Sequence, residues 1–321
     1  MATLITGGAG FIGSRLALRL IADGEPIVII DNFDPYYDPQ IKRDNIAALS
    51  SAPVVIEGDI RDETLIERIF ADYPITRVAH LAGMSGVRYS VERGRLYADV
   101  NTGATVSLLD AARKHEVSVF VFASTSSVYG NAERIPFVED DAATYPLAPY
   151  PASKRAAELY AYTYHQLFGL NVNVLRFFNV YGPHGRPDMM PMRVIESILS
   201  GEPIQMWDSG DLQRDWTYID DIIDGVVAAL DRPQGYQIMN LGYGAPITFS
   251  QFVRIYEQLI GKAAITQVAP APLSEPKITY CDNSRAVELL GFAPKVGIAE
   301  GLARTWAWYT QRYSIAQNSE K

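Results

Sequence analysis

The stretch Leu4-Ile5-Thr6-Gly7-Gly8-Ala9-Gly10-Phe11-Ile12-Gly13 is a short apolar strand that runs through spaced glycines into an amphipathic helix. Gly7 permits a tight turn, Gly10 lets backbone approach a diphosphate, and Gly13 lets the helix pack on the strand. The helix N-terminus offers free N–H groups to the phosphates. Ordinary glycine-rich turns share this spacing, but here a strand and a helix flank it. The stretch therefore predicts a dinucleotide-binding unit.

Short apolar runs and longer amphipathic stretches alternate through the first half of the chain. The predicted strands are Thr3–Thr6, Ile27–Asp31, Val54–Glu57, Arg77–Leu81, Val117–Ala123 and Asn173–Phe178. The predicted helices are Phe11–Asp23, Ile41–Leu49, Glu63–Ala71, Gly94–His115 and Ala152–Phe168. Alternation of this kind predicts an α/β fold, a doubly wound parallel (Rossmann) sheet with right-handed crossovers.

The sequence pattern changes after Pro183: the predicted elements become shorter, and segments rich in Pro and Gly separate them. A chain of 321 residues also exceeds what one core usually supports. We therefore expect a dinucleotide-binding Rossmann domain over residues 1–182. Residues 183–321 are expected to form mainly a smaller C-terminal substrate-binding lobe, with some segments returning to the main domain.

Composition excludes several classes of protein. The single cysteine forms no internal disulfide and builds no thiolate metal cage, and a net charge of -9 argues against nucleic-acid binding. No apolar run reaches the roughly 18 to 20 residues that span a membrane. The N-terminus has no basic region of the kind that opens a signal peptide. We expect a cytoplasmic protein that needs no metal and binds neither membrane nor nucleic acid.

Asp31 closes the second predicted strand, 18 residues after Gly13. A carboxylate there accepts hydrogen bonds from ribose hydroxyls and repels a 2′-phosphate, so NAD is favoured over NADP. The alternative is an acid that caps a loop. Asp59 stands where an acid would contact adenine, although it also suits a turn. Leu81-Ala82-Gly83 ends the fourth strand with small residues that let the diphosphate lie close.

Tyr150 and Lys154 are spaced i,i+4 at the start of a predicted helix, which places both side chains on one face. A free Tyr has a pKa of about 10, so bringing it to neutral pH takes roughly 4 kcal/mol of phenolate stabilisation. We expect the Lys ammonium and a cationic nicotinamide to supply it. A surface Tyr/Lys pair is the alternative. The hydroxyl-rich segment Ser124–Gly130 follows an apolar strand, where a doubly wound sheet binds ligands, so it favours the catalytic interpretation.

Taken together, five features resemble the extended short-chain dehydrogenase/reductases that act on nucleotide sugars. They are Gly7–Gly13, Asp31, Ser124–Gly130, the Tyr150/Lys154 pair, and Arg176-Phe177-Phe178-Asn179-Val180-Tyr181-Gly182-Pro183. The resemblance implies a bound NAD that removes a hydride from the sugar and returns it. It also implies Tyr150 as base, Lys154 on the nicotinamide ribose, Thr125 at the sugar hydroxyl, and a homodimer formed by helices Gly94–His115 and Ala152–Phe168. The implied cofactor contacts are Gly7, Gly10, Phe11, Ile12, Gly13, Asp31, Asn32, Asp59, Ile60, Leu81, Ala82, Gly83, Asn101, Tyr150, Lys154 and Phe177.

The two residues after Thr125 limit which of the family's reactions the chain can be expected to catalyse. Related dehydratases carry an Asp-Glu pair where this chain has Ser126-Ser127, and related decarboxylases carry a Glu at Ser127. Because this chain lacks those carboxylates, the resemblance leaves epimerisation as the expected reaction. Further stretches resemble the UDP-glucuronate 4-epimerases: Asp31–Asp38, Gly86–Ser90 and Gly185–Met189. That resemblance implies interconversion of UDP-glucuronate and UDP-galacturonate.

Two alternatives stay open. Asn179 replaces a common Thr of the UDP-glucuronate 4-epimerase pattern, and His184 replaces a common Trp. Because Asn is usual in UDP-glucose/UDP-galactose 4-epimerases, a neutral hexose is the second candidate substrate. A non-catalytic NAD-binding regulator is the third interpretation, and the intact Thr125, Tyr150 and Lys154 count against it.

Substrate contacts are expected both at the sugar and at the nucleotide part of the substrate. Arg186 suits a carboxylate, because a guanidinium binds it through two hydrogen bonds, although it also suits an exposed loop. By resemblance Arg214 binds the diphosphate, with a strand-end salt bridge as the alternative, and Glu275 binds ribose; Pro272 stands where the family has an Arg. The expected substrate contacts are Arg88, Thr125, Ser126, Ser127, Tyr150, Asn179, Arg186, Arg193, Arg214 and Glu275.

Overall fold

The computed structural model describes residues 1–51 and 53–319, with side chains through residue 313. The strands are β1 Ala2–Thr6, β2 Ile27–Asp31, β3 Val54–Glu57, β4 Ile75–His80, β5 Val119–Thr125, β6 Val172–Phe177, β7 Val180–Tyr181, β8 Ile204–Trp207, β9 Gln213–Arg214, β10 Thr217–Tyr218, β11 Tyr236–Leu241, β12 Ile247–Thr248 and β13 Thr266–Ala269. The α-helices are α1 Phe11–Ala22, α2 Pro39–Ala47, α3 Glu63–Asp72, α4 Val87–Ser90, α5 Gly94–Tyr97, α6 Ala104–Lys114, α7 Pro149–Phe168, α8 Met190–Ser200, α9 Ile219–Asp231, α10 Phe249–Ile260, α11 Ser284–Leu290 and α12 Ile298–Ser319. None of the helices in these described ranges is long and apolar enough to cross a bilayer.

Seven strands form one sheet in the order β11-β6-β5-β4-β1-β2-β3, and every neighbouring pair is parallel. The predicted doubly wound α/β sheet is therefore confirmed. Because the strands are parallel, their carboxyl ends meet at one edge, where such folds bind ligands. The strand order reverses beside β1, which carries the glycine turn. The predicted site residues of β1, β2, β4 and β5 consequently share this edge.

Buried apolar residues cover both faces of the sheet. One cluster joins α1, α9 and the C-terminal elements to one face, and a second joins α3, α6 and α7 to the other. The inner strands β1, β2 and β5 are buried throughout, which agrees with their mainly apolar sequences. Helices on both faces leave only the sheet's edges free to form a site.

Several predicted boundaries shift. Strand β4 begins and ends earlier than Arg77–Leu81, and β5 extends through Thr125 rather than ending at Ala123. The predicted helix Gly94–His115 is interrupted by a π-helical segment, Ala98–Gly103. Asn101 explains the interruption: its side chain bonds both backbone groups of Met84 and the hydroxyl of Ser153, at 2.8–3.0 Å. These bonds hold the backbone in the wider turn, which hydrophobic periodicity cannot signal.

The C-terminal part adds short ladders beside the sheet: β7 with β10, β9 with β12 and β8 with β13. One segment returns to the main sheet, since β11 pairs with β6 along its whole length. Helix α9 packs against α1 as well. The division between residues 1–182 and 183–321 stays a prediction.

A fully buried ion pair connects α7 to two strands. Arg176 on β6 donates to both carboxylate oxygens of Glu158, at 3.0 and 2.7 Å, and neither side chain is exposed. Ser124 on β5 donates to the same carboxylate at 2.5 Å, and Arg155 does so at 3.0 Å. Burial lowers the pKa of Arg176, but the bonds and charge of Glu158 outweigh it, so that pKa lies above its ordinary value. Glu158 thus fixes α7 against the ends of β5 and β6.

We predict that Glu158→Gln lowers the free energy of unfolding by about 3–5 kcal/mol, because it leaves Arg176 buried without a counter-charge. Urea unfolding followed by circular dichroism measures the change. The control is Asp23→Asn, which breaks the exposed pair with Arg19 and is expected to cost less than about 1 kcal/mol. Equal effects of the two variants would contradict the assigned role of Glu158.

Candidate active site

A cavity of about 410 Å³ opens at the carboxyl edge of the sheet. Its walls come from the carboxyl ends of β1 to β6 and the loops that follow them, from the start of α7 and from the loop after β7. The predicted site residues that line it are Gly7, Gly10, Phe11, Ile12, Gly13, Asp31, Asn32, Ile60, Leu81, Ala82, Gly83, Thr125, Ser126, Ser127, Tyr150, Lys154, Phe177, Asn179 and Arg186.

The glycine turn forms one wall without side chains. Gly7 has φ of 70°, and a Cβ there would lie 2.8 Å from Cα of Ala82. A Cβ on Gly13 would overlap the carbonyl oxygen of Gly7. Helix α1 begins after Gly10 with no side-chain cap, so no capping oxygen takes up its first N–H groups, and residues 10–13 line the cavity. A close-approach surface with free N–H groups fits a dinucleotide diphosphate.

Asp31 is buried at the end of β2, and its carboxylate is already engaged. It accepts the backbone N–H groups of Ala9 and Phe33 at 3.1 and 2.8 Å, and it pairs with Lys42 at 3.2 Å. Lys42 also lines the cavity, which the sequence did not predict. These bonds fix the carboxylate at the cavity wall, where a ribose hydroxyl would meet it.

Thr125, Tyr150 and Lys154 meet on the opposite side. Thr125 ends β5, and its hydroxyl accepts the N–H of Ser127 at 3.1 Å. Tyr150 lies in the first turn of α7, hydrogen-bonded to Thr125. The ammonium of Lys154 donates to the carbonyl of Ala123 at 2.9 Å. The structure thus brings together the hydroxyl, phenol and amine that the sequence singled out.

The pKa of Tyr150 does not follow the expectation drawn from its neighbour Lys154. Burial raises it above its ordinary value, and only Thr125 and Arg186 oppose that rise. Lys154 is directed to a backbone carbonyl, and burial lowers its own pKa to about 8 against the opposing charge of Glu158. Within the protein alone, the phenol is therefore held neutral. A cation brought into the cavity would lower its pKa.

The loop after β7 brings Arg186 to the same cavity. Its guanidinium pairs with Asp188 and donates to Ser85. Asn179 lines the cavity nearby and donates to Thr279 at 3.1 Å. His184, at the base of this loop, packs against Trp308 with ring centroids 4.9 Å apart. An aromatic ring therefore supports the loop although His replaces the expected Trp.

A second cluster of predicted residues lies outside the cavity lining. Glu275 pairs with Arg88 at 3.3 Å and with Arg214 at 3.0 Å, and Arg88 lies 4.4 Å from the ring centroid of Trp207. Burial lowers the pKa of Arg214, and the charge of Glu275 opposes it. The salt bridge weighed as an alternative for Arg214 is present. Arg193 stands apart, exposed on α8.

Two predicted cofactor contacts lie behind the cavity wall. Asp59 binds Arg61 at 2.8–2.9 Å and Asn32 at 3.1 Å, and chiefly the Arg61 bond lowers its pKa to about 2. Asn101 is buried and bonds Met84, next to Gly83. Both side chains support residues that line the cavity. Their direct contact with a cofactor stays a prediction.

Comparison with known proteins agrees with this geometry. Residues 3–242 match the NAD dependent epimerase/dehydratase family. The chain is 41% identical over 318 residues to the UDP-glucuronate 4-epimerase of Thermodesulfobacterium geofontis, covering 98% of each chain.

Solved structures of epimerases are similar to this chain over nearly the whole fold. UDP-glucuronic acid 4-epimerase from Bacillus cereus, in complex with UDP-glucuronic acid and NAD, aligns with a TM-score of 0.91 at 35% identity, covering 98% of this chain and 100% of that one. UDP-glucose 4-epimerase of Thermotoga maritima with UDP-glucose aligns at 0.89 and 30% identity, with the same coverage. The fold has a glycine turn on a doubly wound sheet and a helix with the Tyr–Lys pair beside it. Because the family model also matches three quarters of the sequence, this chain belongs to the NAD dependent epimerase/dehydratase family.

Proposed function

We propose that this chain is an NAD-dependent UDP-glucuronate 4-epimerase. The observation that carries the proposal is one cavity that holds both Tyr150 beside Thr125 and the guanidinium of Arg186. The first pair suits proton transfer at a sugar hydroxyl, and Arg186 suits a sugar carboxylate. The likeness to UDP-glucuronate 4-epimerases over the whole chain supports both.

In this proposal the cofactor lies along the glycine turn. Gly7, Gly10 and Gly13 leave room for the diphosphate at the start of α1, and Asp31 with Lys42 meets the adenosine ribose. NAD supplies the acceptor that takes a hydride from C4 and gives it back. Lys154 lies beside Gly83 and Asn101, where it would donate to the other ribose.

Tyr150 takes the proton of the C4 hydroxyl and returns it when the ketone is reduced. Burial keeps the phenol protonated in the protein alone, so the cationic nicotinamide is what brings its pKa within reach of neutral pH. The hydroxyl of Thr125 holds the sugar oxygen during both transfers. In this proposal the phenol therefore depends on a bound cation to become a base.

The rest of the cavity favours inversion over elimination. Ser126 and Ser127 line it with hydroxyls, which are poor acids and bases for loss of water. The oxidised uronate is a β-keto acid that can lose carbon dioxide, so an epimerase must hold the carboxylate while the ring turns. Arg186, the two serines and the amide of Asn179 offer the cation and donors for this.

The nucleotide end of the substrate is assigned to the cluster outside the cavity lining. Arg88 and Arg214 supply positive charge for the diphosphate, and Glu275 accepts ribose hydroxyls. Arg193 is the remaining predicted contact. In the free protein the single carboxylate of Glu275 pairs with both arginines of the cluster, so the three side chains keep a net positive charge for the diphosphate.

UDP-glucose/UDP-galactose 4-epimerisation is the second candidate. Asn179 supports it, because Asn is the residue usual at this position in UDP-glucose/UDP-galactose 4-epimerases and its amide can donate to a neutral O6. The Thermotoga maritima relative, solved with UDP-glucose, adds support. The two candidates differ in what Arg186 contributes.

We also propose a homodimer through α5, the π segment, α6 and α7. Helix α7 exposes Leu159 and Tyr160 in mid-helix and Leu167 and Phe168 near its end. An isologous contact between two copies would cover these residues and leave the carboxyl edge of each sheet open. The exposed apolar side chains and the family resemblance support this assembly.

We predict that Tyr150→Phe lowers turnover about a thousandfold or more, because it removes the group that exchanges the C4 proton. Formation of the C4 epimer measures turnover, while circular dichroism and NAD content check the fold and the cofactor. Tyr145→Phe, at an 82% exposed tyrosine, is the matched control and should leave turnover unchanged. Tyr150→Phe activity within about threefold of the wild type would mean that another group is the base.

We predict that the wild type converts UDP-glucuronate to its C4 epimer in preference to UDP-glucose. Arg186→Ala should reduce kcat/KM for the uronate at least tenfold more than for UDP-glucose, because a buried carboxylate without its partner costs more than about 1–3 kcal/mol. Chromatography of both reactions measures the ratio. Arg68→Ala, at an exposed arginine of α3, is the control. A wild type that prefers UDP-glucose, with an unimpaired Arg186→Ala variant, favours the second candidate.

We predict a particle of about twice the 35.5 kDa chain mass at micromolar concentration, measured by light scattering. The double variant Leu159→Glu/Tyr160→Glu should be monomeric, because it places charge in the proposed apolar contact. Leu273→Glu changes an even more exposed leucine away from α7 and should leave the mass unchanged. A monomeric wild type would rule out the proposed dimer.

A further inference from the structure

Three loops meet beside Arg186. Tyr36 comes from the loop after β2, Ser85 from the loop after β4, and Asp188 from the loop that carries Arg186 itself. Tyr36, Ser85 and Arg186 line the cavity. None of the roles assigned above uses Tyr36, Ser85 or Asp188, yet all three belong to a single hydrogen-bonded group centred on the guanidinium.

The guanidinium is held along one edge and at one corner. Its Nε and Nη2 donate to the two oxygens of Asp188 at 2.9 and 3.0 Å, and its Nη1 donates to Oγ of Ser85 at 2.7 Å. A guanidinium has five N–H groups. Among the described residues, the other two have no hydrogen-bond partner, so they are free to bind a ligand. The side chain is 22% exposed, which makes it reachable from the cavity.

Tyr36 in turn holds Asp188. Its hydroxyl donates to Oδ2 of Asp188 at 3.1 Å, across a sequence separation of 152 residues. Its ring packs edge-on against Tyr89, with centroids 4.9 Å apart, and its hydroxyl fits closely over Gly86, where a Cβ would lie 2.6 Å away. Burial, and then the charge of Asp188, raise the pKa of Tyr36 to about 12, so it stays a donor at neutral pH.

We propose that Tyr36 and Ser85 are positioning residues that fix Arg186, the first through Asp188 and the second directly, and thereby make the site selective for a sugar carboxylate. The inference rests on the function proposed above. It adds that selectivity depends on a contact between the cofactor-side loop after β2 and the sugar-side loop after β7. Fixing the guanidinium in advance spares the substrate that ordering cost.

The two single substitutions that carry the test leave every charge in place. Tyr36→Phe removes the bond to Asp188, and Ser85→Ala removes the bond to Nη1. Asp188 is left intact, because without it Arg186 would become an unpaired cation and attract a carboxylate for a different reason. Tyr89→Phe is the matched control: it removes a hydroxyl from the ring beside Tyr36, outside the cavity.

Isothermal titration of the NAD-loaded protein gives dissociation constants for UDP-glucuronate, UDP-glucose and UDP. We expect Tyr36→Phe and Ser85→Ala each to weaken UDP-glucuronate binding by about fivefold to tenfold and to change the other two by less than about twofold. Tyr89→Phe should change none. On an Arg186→Ala background Tyr36→Phe should have no further effect, because it acts through the missing guanidinium.

The inference is overturned if all three ligands weaken in parallel, if Tyr36→Phe still weakens the uronate on the Arg186→Ala background, or if both variants match the wild type. Should Tyr36→Phe fail to fold, Ser85→Ala and its Arg186→Ala double variant decide the question alone. A failure of the proposed function itself would give a different result. In that case the wild-type protein itself does not epimerise UDP-glucuronate, whatever the variants bind.

Discussion

The buried pair of Glu158 and Arg176 fixes the geometry on which the proposed chemistry depends. Glu158 lies one turn after Lys154 and two after Tyr150 on α7, while its partners Ser124 and Arg176 lie at the ends of β5 and β6. Thr125 directly follows Ser124. The carboxylate thus sets the distance between the helix that carries the phenol and the strand that carries the hydroxyl. Breaking it would leave a charge in the core and misplace both groups.

Burial around α7 also keeps the phenol of Tyr150 protonated in the protein alone. Tyr150 and Lys154 are both moved toward their neutral forms by desolvation, and the ammonium is directed to the carbonyl of Ala123. No group of the described chain therefore overcomes the burial of the phenol. A cationic cofactor ring is the charge that would do so. The protein supplies the dry, fixed surroundings in which that one added charge has a large effect.

The sequence predicted what local patterns determine. The bounds of β2 and β3 came from their apolar runs, and the glycine turn and the Tyr150/Lys154 pair came from spacing within one element. It could not predict the π segment at Ala98–Gly103, because Asn101 creates it by bonding a loop 17 residues away. The same holds for the pairing of Asp31 with Lys42. Glu158 could have been predicted from the sequence, since it continues the four-residue spacing of Tyr150 and Lys154.

Asp188 partly neutralises the charge of Arg186, and this suits a sugar ring that has to rotate within the site. A free guanidinium would bind the uronate carboxylate through a full bidentate pair and hold the ring in one orientation. Here Asp188 already occupies one edge, so an incoming carboxylate meets two remaining donors and a compensated charge. Such a contact is strong enough to distinguish a carboxylate from a neutral group, because unpaired buried charge is costly. We expect the compensated charge to make this contact easier to break than a full ion pair, which the rotation of the ketone requires. Selectivity and rotation thus place opposite demands on one side chain, and a built-in counter-ion is a physical means of meeting both.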